Sequence, residues 1–368
     1  MPGVAGSSPS GAGGAAGGSA GAAAAAGSAG TGGAAGVVCS PPADGVLPAQ
    51  KLVDTGCVDP SDPRKPAPIA VTYEVNSPLW SDSADKQRAF IVPAGKKIHV
   101  RDCATTQSDC PMGNADDGRW DFPIGTVMIK IFMFDNKLVE TRLFMHTSVM
   151  NNSPKGDWIG YSYMWNEAQT EATLAPSDRQ QVMFNTGTRT VAWHYPSRSD
   201  CMDCHTLQSG STLGPETAQM NRMVGGVDQI GKFTTLGLFE SPPATKTALL
   251  SPTGQTGTME QRARSYLHAN CAFCHRPDGL YKNFDLRYDV AFADTKVCKD
   301  GIKGTVGGST SIKLVSPGHA ADSLMWQRMN QTDPDKGRMP QIGSYAIDDP
   351  AQKLISDWIN SLPANACP

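Results

Sequence analysis

Two copies of one short word stand out in the chain: Cys201-Met202-Asp203-Cys204-His205 and Cys271-Ala272-Phe273-Cys274-His275. Both spell C-x-x-C-H, the spacing at which two thiols can add across the vinyl groups of a porphyrin while the adjoining imidazole faces the iron. The expectation is therefore two covalently attached haem c groups. Cys201, Cys204, Cys271 and Cys274 would form the thioethers, and His205 and His275 would be the proximal ligands. A C-x-x-C pair also suits a redox disulfide or half of a zinc site, but neither needs a histidine directly after the second cysteine.

Met339, in Gly337-Arg338-Met339-Pro340, follows His275 by 64 residues and is the expected sixth ligand opposite it. Thioether ligation favours ferrous iron. Met325 and Met329 compete by residue type, but their spacing suits core filling. The first word has no such partner at the corresponding distance. Its distal candidates are Met220, at the end of a short segment opening near Pro215, and His146, at the end of an expected strand. Met223, His194 and His268 are weaker. An iron left with an open sixth position would turn a carrier into a catalyst.

The elements that must position these residues fall into two styles. From Cys39 to Tyr195, β-prone runs alternate with Gly, Pro, Asn and Asp. Strands are expected at Thr126–Phe132, Leu138–His146 and Trp158–Trp165, with Asp135-Asn136 as a hairpin turn. Short antiparallel strands at this spacing suggest a β-sandwich or jelly-roll-like module. After Pro196 the pattern becomes helical. Thr258 and Gln261 form a capping-box pair ahead of Ala263, Tyr266, Leu267, Cys271 and Cys274. A closing helix is expected from Asp349 as N-cap and Pro350 at its first position, with Leu354, Ile355, Trp358, Ile359 and Leu362 as its apolar stripe, ending at Pro363. The fold class expected is α+β: a β module over 39–195, a first haem segment over 196–255 and a helical cytochrome-like domain over 256–368.

Composition sets outer bounds. The 368 residues carry a net charge of −3 and 39% hydrophobic residues, which suits globular material and argues against a nucleic-acid surface. No uninterrupted apolar run approaches the ~20 residues of a membrane span. Residues 1–38 hold no charge and are almost wholly Gly, Ala and Ser, the composition of a disordered tether. Haem attachment implies export, by a signal or lipid-bearing cysteine outside this stretch, to the periplasm or cell surface. Ten cysteines, four of them in the two words, leave an even remainder. Neighbour pairing gives Cys39–Cys57, Cys103–Cys110 and Cys298–Cys367.

Residues 256–365 resemble the class I cytochrome c domain: a helix leading into C-x-x-C-H, a segment Pro317–Leu324 like that family's mid-domain helix, a distal Met-Pro and a closing helix with a tryptophan. More widely, Pro78-Leu79-Trp80-Ser81-Asp82, Trp120-Asp121-Phe122-Pro123-Ile124-Gly125-Thr126, Glu140-Thr141-Arg142-Leu143, Trp158-Ile159-Gly160-Tyr161 and Tyr195-Pro196-Ser197-Arg198 resemble a group of exported bacterial proteins that fuse a β-rich region to a C-terminal dihaem segment. That resemblance implies haem and electron transfer between redox partner proteins, with no settled substrate. The expected role is a dihaem cytochrome relaying single electrons in the cell envelope. One alternative is a dihaem peroxidase or oxidase with an open first haem. Another is a β module that binds a partner enzyme or a carbohydrate-associated substrate, with Trp80, Trp120, Trp158 and Trp165 as a platform. No serine elbow, phosphate loop or HExxH word supports hydrolase or nucleotide chemistry.

Overall fold

The computed structural model describes residues 37–102, 118–148, 157–245, 247–277, 279–299 and 313–367. Residues 37–368 close up as one compact unit. The tether expected over 1–38 and the expected Cys103–Cys110 bridge fall almost wholly or wholly outside the described residues.

The dominant element is a six-stranded antiparallel sheet. Its strands are β3 (Val71–Thr72), β4 (Asp85–Ile91), β7 (Val127–Phe134), β8 (Lys137–Thr147), β9 (Asp157–Trp165) and β10 (Ala172–Leu174), in the order β10-β9-β8-β7-β4-β3. Four two-stranded sheets accompany it: β1 (Val58–Asp59) with β2 (Asp62–Pro66), β5 (His99–Val100) with β6 (Trp120–Asp121), β11 (Gln180–Asn185) with β12 (Thr190–Tyr195), and β13 (Met223–Val224) with β14 (Val227–Asp228). The three long strands lie where the alternation of β-branched and aromatic residues places them. Asp135 and Asn136 join β7 to β8 with φ of 49° and 64°. Left-handed backbone at both turn residues matches the right-handed twist of the flanking strands, and short polar side chains tolerate it best.

Six short α-helices follow: α1 (Arg198–Cys204), α2 (Thr217–Met220), α3 (Gln229–Thr235), α4 (Met259–Asn270), α5 (Leu324–Met329) and α6 (Asp349–Ser361). Thr258 and Gln261 make the expected capping box on α4. On α6 the N-cap is Asp348, one residue earlier than expected, and its carboxylate accepts from Ala351 N. The apolar stripe of α6 finds the expected partner: Ile355, Trp358 and Ile359 pack with Tyr266 and Leu267 of α4 in one core cluster.

The expected fold class needs correction in both halves. No second large sheet closes a sandwich among the described residues. One face of the sheet, with Ile129, Ile131, Leu143 and Tyr163, packs against Cys39, Leu52, Cys57 and Val58 of the N-terminal segment. The other face packs through Phe90, Met128, Phe144 and Trp158 onto Trp120, Met220, Phe233 and Phe239. Further along that region Phe132 and Phe134 meet Trp193 and Tyr195. Loops, a hairpin and short helices thus cover what a second sheet would cover in a sandwich. The C-terminal part is likewise not clearly a helical cytochrome domain. Its longest helices have 12 and 13 residues, and the segment expected as a mid-domain helix is a single 3₁₀ turn at Ala320–Asp322 followed by the six-residue α5. Gly318, Pro340 and the turns between them interrupt any longer helical run. The molecule is β-rich with short helices.

Glu140 is the polar hub of the sheet. Fully buried on β8, its carboxylate takes both nitrogens of Arg142 at 2.9 and 2.8 Å, Ser162 Oγ at 2.6 Å and Trp193 Nε1 at 3.1 Å. A buried charge with every lone pair engaged is tolerable, whereas removing one member strands the other. Glu140→Ala is expected to lower stability by about 3–5 kcal/mol in urea denaturation. A loss below about 1 kcal/mol would show that Arg142 finds solvent instead.

Candidate functional site

The first word begins on α1. Ser197 and Asp200 form a reciprocal capping box, and Arg179 clamps Asp200 with two hydrogen bonds of 2.8 Å. The helix lies against β9 at Gly160, where an added Cβ would sit 2.5 Å from Cys201 Sγ and 3.2 Å from its Cβ. Only glycine lets the first thiol lie flat on the sheet. His205 ends the helix with its ring against Phe144, centroids 4.2 Å apart, and its Nδ1 bonded to Ser211 O at 2.5 Å. A carbonyl partner on Nδ1 makes that nitrogen the donor and leaves Nε2 with a free lone pair. Burial pushes this imidazole down to about 3, so it is neutral at pH 7.

The second word follows α4 directly. His275 stacks on Phe284 (4.4 Å, 15°) and Tyr281 (5.3 Å, 28°), and its Nδ1 is buried without a hydrogen-bond partner. Burial pushes this ring down to about 4 and the Cys271 thiol up to about 12. A cavity of about 440 Å³ opens beside them, lined by Cys271, His275, Phe284, Met325, Met329 and Met339. Met339 therefore reaches the same space as His275, as its spacing predicts. Met325 and Met329 do so too, although Met325 is also core.

The loop that carries Met339 is organised by Arg338, which is 1% exposed. Its guanidinium donates to Gln331 O at 2.5 Å, Ser344 O and Oγ at 3.1 Å and Ala346 O at 3.0 Å. A planar five-donor group suits such a spread of acceptors.

The two words meet. Cys204 and Cys274 share a side-chain hydrogen bond, which holds the Cys274 thiol down and the Cys204 thiol up. Cys274 Sγ also lies 4.0 Å from Asp203 O. Nothing in the sequence pattern anticipated this contact between residues 70 apart.

The distal candidates for the first word are placed elsewhere. Met220 is fully buried, its sulfur accepting from Gln229 Nε2 at 3.7 Å. The helix expected from Pro215 is only Thr217–Met220. His146 stacks on Trp158 (4.4 Å, 10°) with Nδ1 on Phe122 O at 2.9 Å. Neither lines the two cavities beside His205, which measure about 70 and 90 Å³. His268 bonds Glu216 at 2.7 Å and accepts from Tyr288 N, and His194 stacks on Tyr345. Met223 is exposed on β13. Trp120, Trp158 and Trp165 are core, and Trp80 donates to Ala346 O, so the four form no exposed platform.

These observations correct the expectation of two covalently attached haem c groups. Among the described residues no group of three or more His, Cys, Asp or Glu side chains could hold a metal ion, which also removes a four-thiolate zinc site. The four thiols of the words are free, and two of them bond each other. The two cavities at His205, about 70 and 90 Å³, are too small for a porphyrin. The second word adjoins the 440 Å³ cavity, and another of about 240 Å³ is lined by Asp203 and Cys204 of the first word together with Cys271, Cys274 and His275 of the second. Two expected disulfides are present: Cys39–Cys57 and Cys298–Cys367. No helix among the described residues is long and apolar enough to cross a membrane.

Gly160→Ala is expected to push α1 off β9, lowering Tm by several degrees and raising the rate at which Cys201 reacts with an alkylating reagent. An unchanged rate would mean that the helix does not rest on that backbone. Arg338→Met is expected to cost about 2–4 kcal/mol through the stranded carbonyls, with proteolysis first appearing between residues 331 and 346. A cut elsewhere would place the weak point outside the Met339 loop.

No family model matches this chain, and no curated protein or solved structure matches it either.

Proposed function

We propose that this protein transfers single electrons between redox partner proteins in the cell envelope, the role of the dihaem c-type cytochromes that its two words resemble. The observation that carries the reading is the 440 Å³ cavity into which His275 and Met339 both reach. A neutral imidazole and a thioether together are a donor set suited to a redox centre of intermediate softness. Around it the chain supplies what electron transfer asks of a protein: burial, stacked aromatic rings and a rigid loop that keeps the centre from rearranging between oxidation states. The Cys39–Cys57 and Cys298–Cys367 bridges support an oxidising location, periplasmic or at the cell surface.

A second reading is favoured by the Cys204–Cys274 contact. Two apposed thiols can lose two protons and two electrons to form one disulfide, so the words could form a two-electron couple passed to a partner disulfide by exchange.

One preparation separates the readings. The chain is secreted into the periplasm of a bacterial host, purified, and cycled with a mild oxidant and dithionite. The electron-carrier reading expects one electron per chain to be taken up and returned in a coulometric titration, with the response lost in Met339→Ala or His275→Ala. A protein whose only change is two thiols against one disulfide, abolished by Cys204→Ser, would replace it with the second reading.

A further inference from the structure

The sheet face beneath the first word carries an unusual row of charge. Arg88 on β4 pairs in register with Lys130 on β7, and Lys130 pairs with Arg142 on β8. Three cations thus stand side by side on neighbouring strands, where like charges directly opposite destabilise a sheet. Arg142 is neutralised by Glu140. Arg88 and Lys130 form neither a hydrogen bond nor an ion pair among the described residues. The Lys130 ammonium lies over the Phe132 ring, 5.8 Å from its centroid, a weak cation–π contact that leaves its hydrogen-bonding capacity unused. Burial and the neighbouring Arg88, Arg142 and Lys86 work against its charge, and Glu140 acts weakly in its favour.

Arg88 and Lys130 are half-buried. Arg88, Lys130 and Arg142 line the 70 Å³ cavity together with Tyr73, Phe144 and His205. Lys130 and Arg142 also line the adjoining 90 Å³ cavity, where Arg179 joins them. Cations with no ion-pair partner among the described residues, gathered round one cavity, call for an anion.

We propose that this cavity is a binding site for a small dicarboxylate, with Arg88 and Lys130 as its two charge partners. Two uncompensated cations match two negative charges. Strands lie about 4.8 Å apart, so the two cationic heads are spaced for two carboxylates on a short linker better than for one compact oxyanion. Tyr73 and Phe144 provide apolar walls for the linker. Arg142, already held by Glu140, fixes the row without needing the ligand. The site is independent of the electron-transfer reading and stands or falls separately from it.

The test uses the full chain as purified, at pH 7 and low salt, with succinate and inorganic phosphate as probes and sodium chloride matched for ionic strength. Succinate is expected to raise Tm with saturation at millimolar concentration. Lys130→Met and Arg88→Met are each expected to weaken that response at least tenfold. Without succinate, Lys130→Met is expected to melt at or above the wild-type temperature, because a buried charge is gone. Arg64→Met, at an exposed position on β2, is expected to respond like wild type. Succinate giving no more than the chloride control overturns the proposal, as does an undiminished response in both row variants. Phosphate binding in place of succinate overturns the dicarboxylate assignment.

Discussion

A single stretch of six residues, Ser77 to Asp82, sews the β-rich part of the chain to its C-terminal part. Ser77 Oγ donates to Ser265 O at 3.0 Å, and Trp80 N donates to the Asn270 carboxamide at 2.7 Å. One oxygen of Asp82 receives both Tyr345 N and Ala346 N at 2.7 Å. Trp80 Nε1 reaches Ala346 O at 3.1 Å. The stretch therefore grips α4 just ahead of the second word and the loop just after Met339. Every partner across this seam is backbone or a short, fixed side chain, so the contacts lose little entropy and allow little play. The juxtaposition of the two C-x-x-C-H words and the shape of the Met339 cavity both depend on it.

Charge is handled differently on the two sides of that seam. Arg338 and Arg142 are buried cations with a full set of acceptors, and each stiffens its surroundings. Arg88 and Lys130 are cations whose side chains have no hydrogen-bond acceptor among the described residues. The contrast lies in neighbouring sequence. Arg142 has Glu140 two residues away on the same face of its strand, and Arg338 has a turn of carbonyls folded around it. Arg88 and Lys130 face like charge in register: each other, and for Lys130 also Arg142.

What the sequence made legible was local. The strands β7, β8 and β9, the Asp135-Asn136 turn and the Thr258 capping box each rest on a few consecutive residues, and two disulfides followed from counting. The fold class was not legible. Alternation along a strand shows that a sheet has faces to cover, but not whether a sheet, a hairpin or a loop covers them. The capping box at Ser197 was missed because its fourth residue is Asp200 rather than Glu or Gln. Met220 and His146 have the chemistry of ligands, yet each is drawn into the core by a partner distant in sequence, Gln229 and Trp158. Met339 was legible because its loop brings it to the space beside His275. Lys130 carries no motif and Gly160 stands in a phrase with no role attached, so only the packing above them reveals what they do.

The contact between Cys204 and Cys274 makes the two words one object rather than two. Whatever charge one of them gains is felt by the other across a few ångströms of protein, where screening by salt is weak. A proton leaving one of these thiols must then change the affinity of the other for its own, and by reciprocity the second returns the same free energy to the first. The two thiols therefore give up their protons in two steps that belong to the pair and to neither cysteine alone.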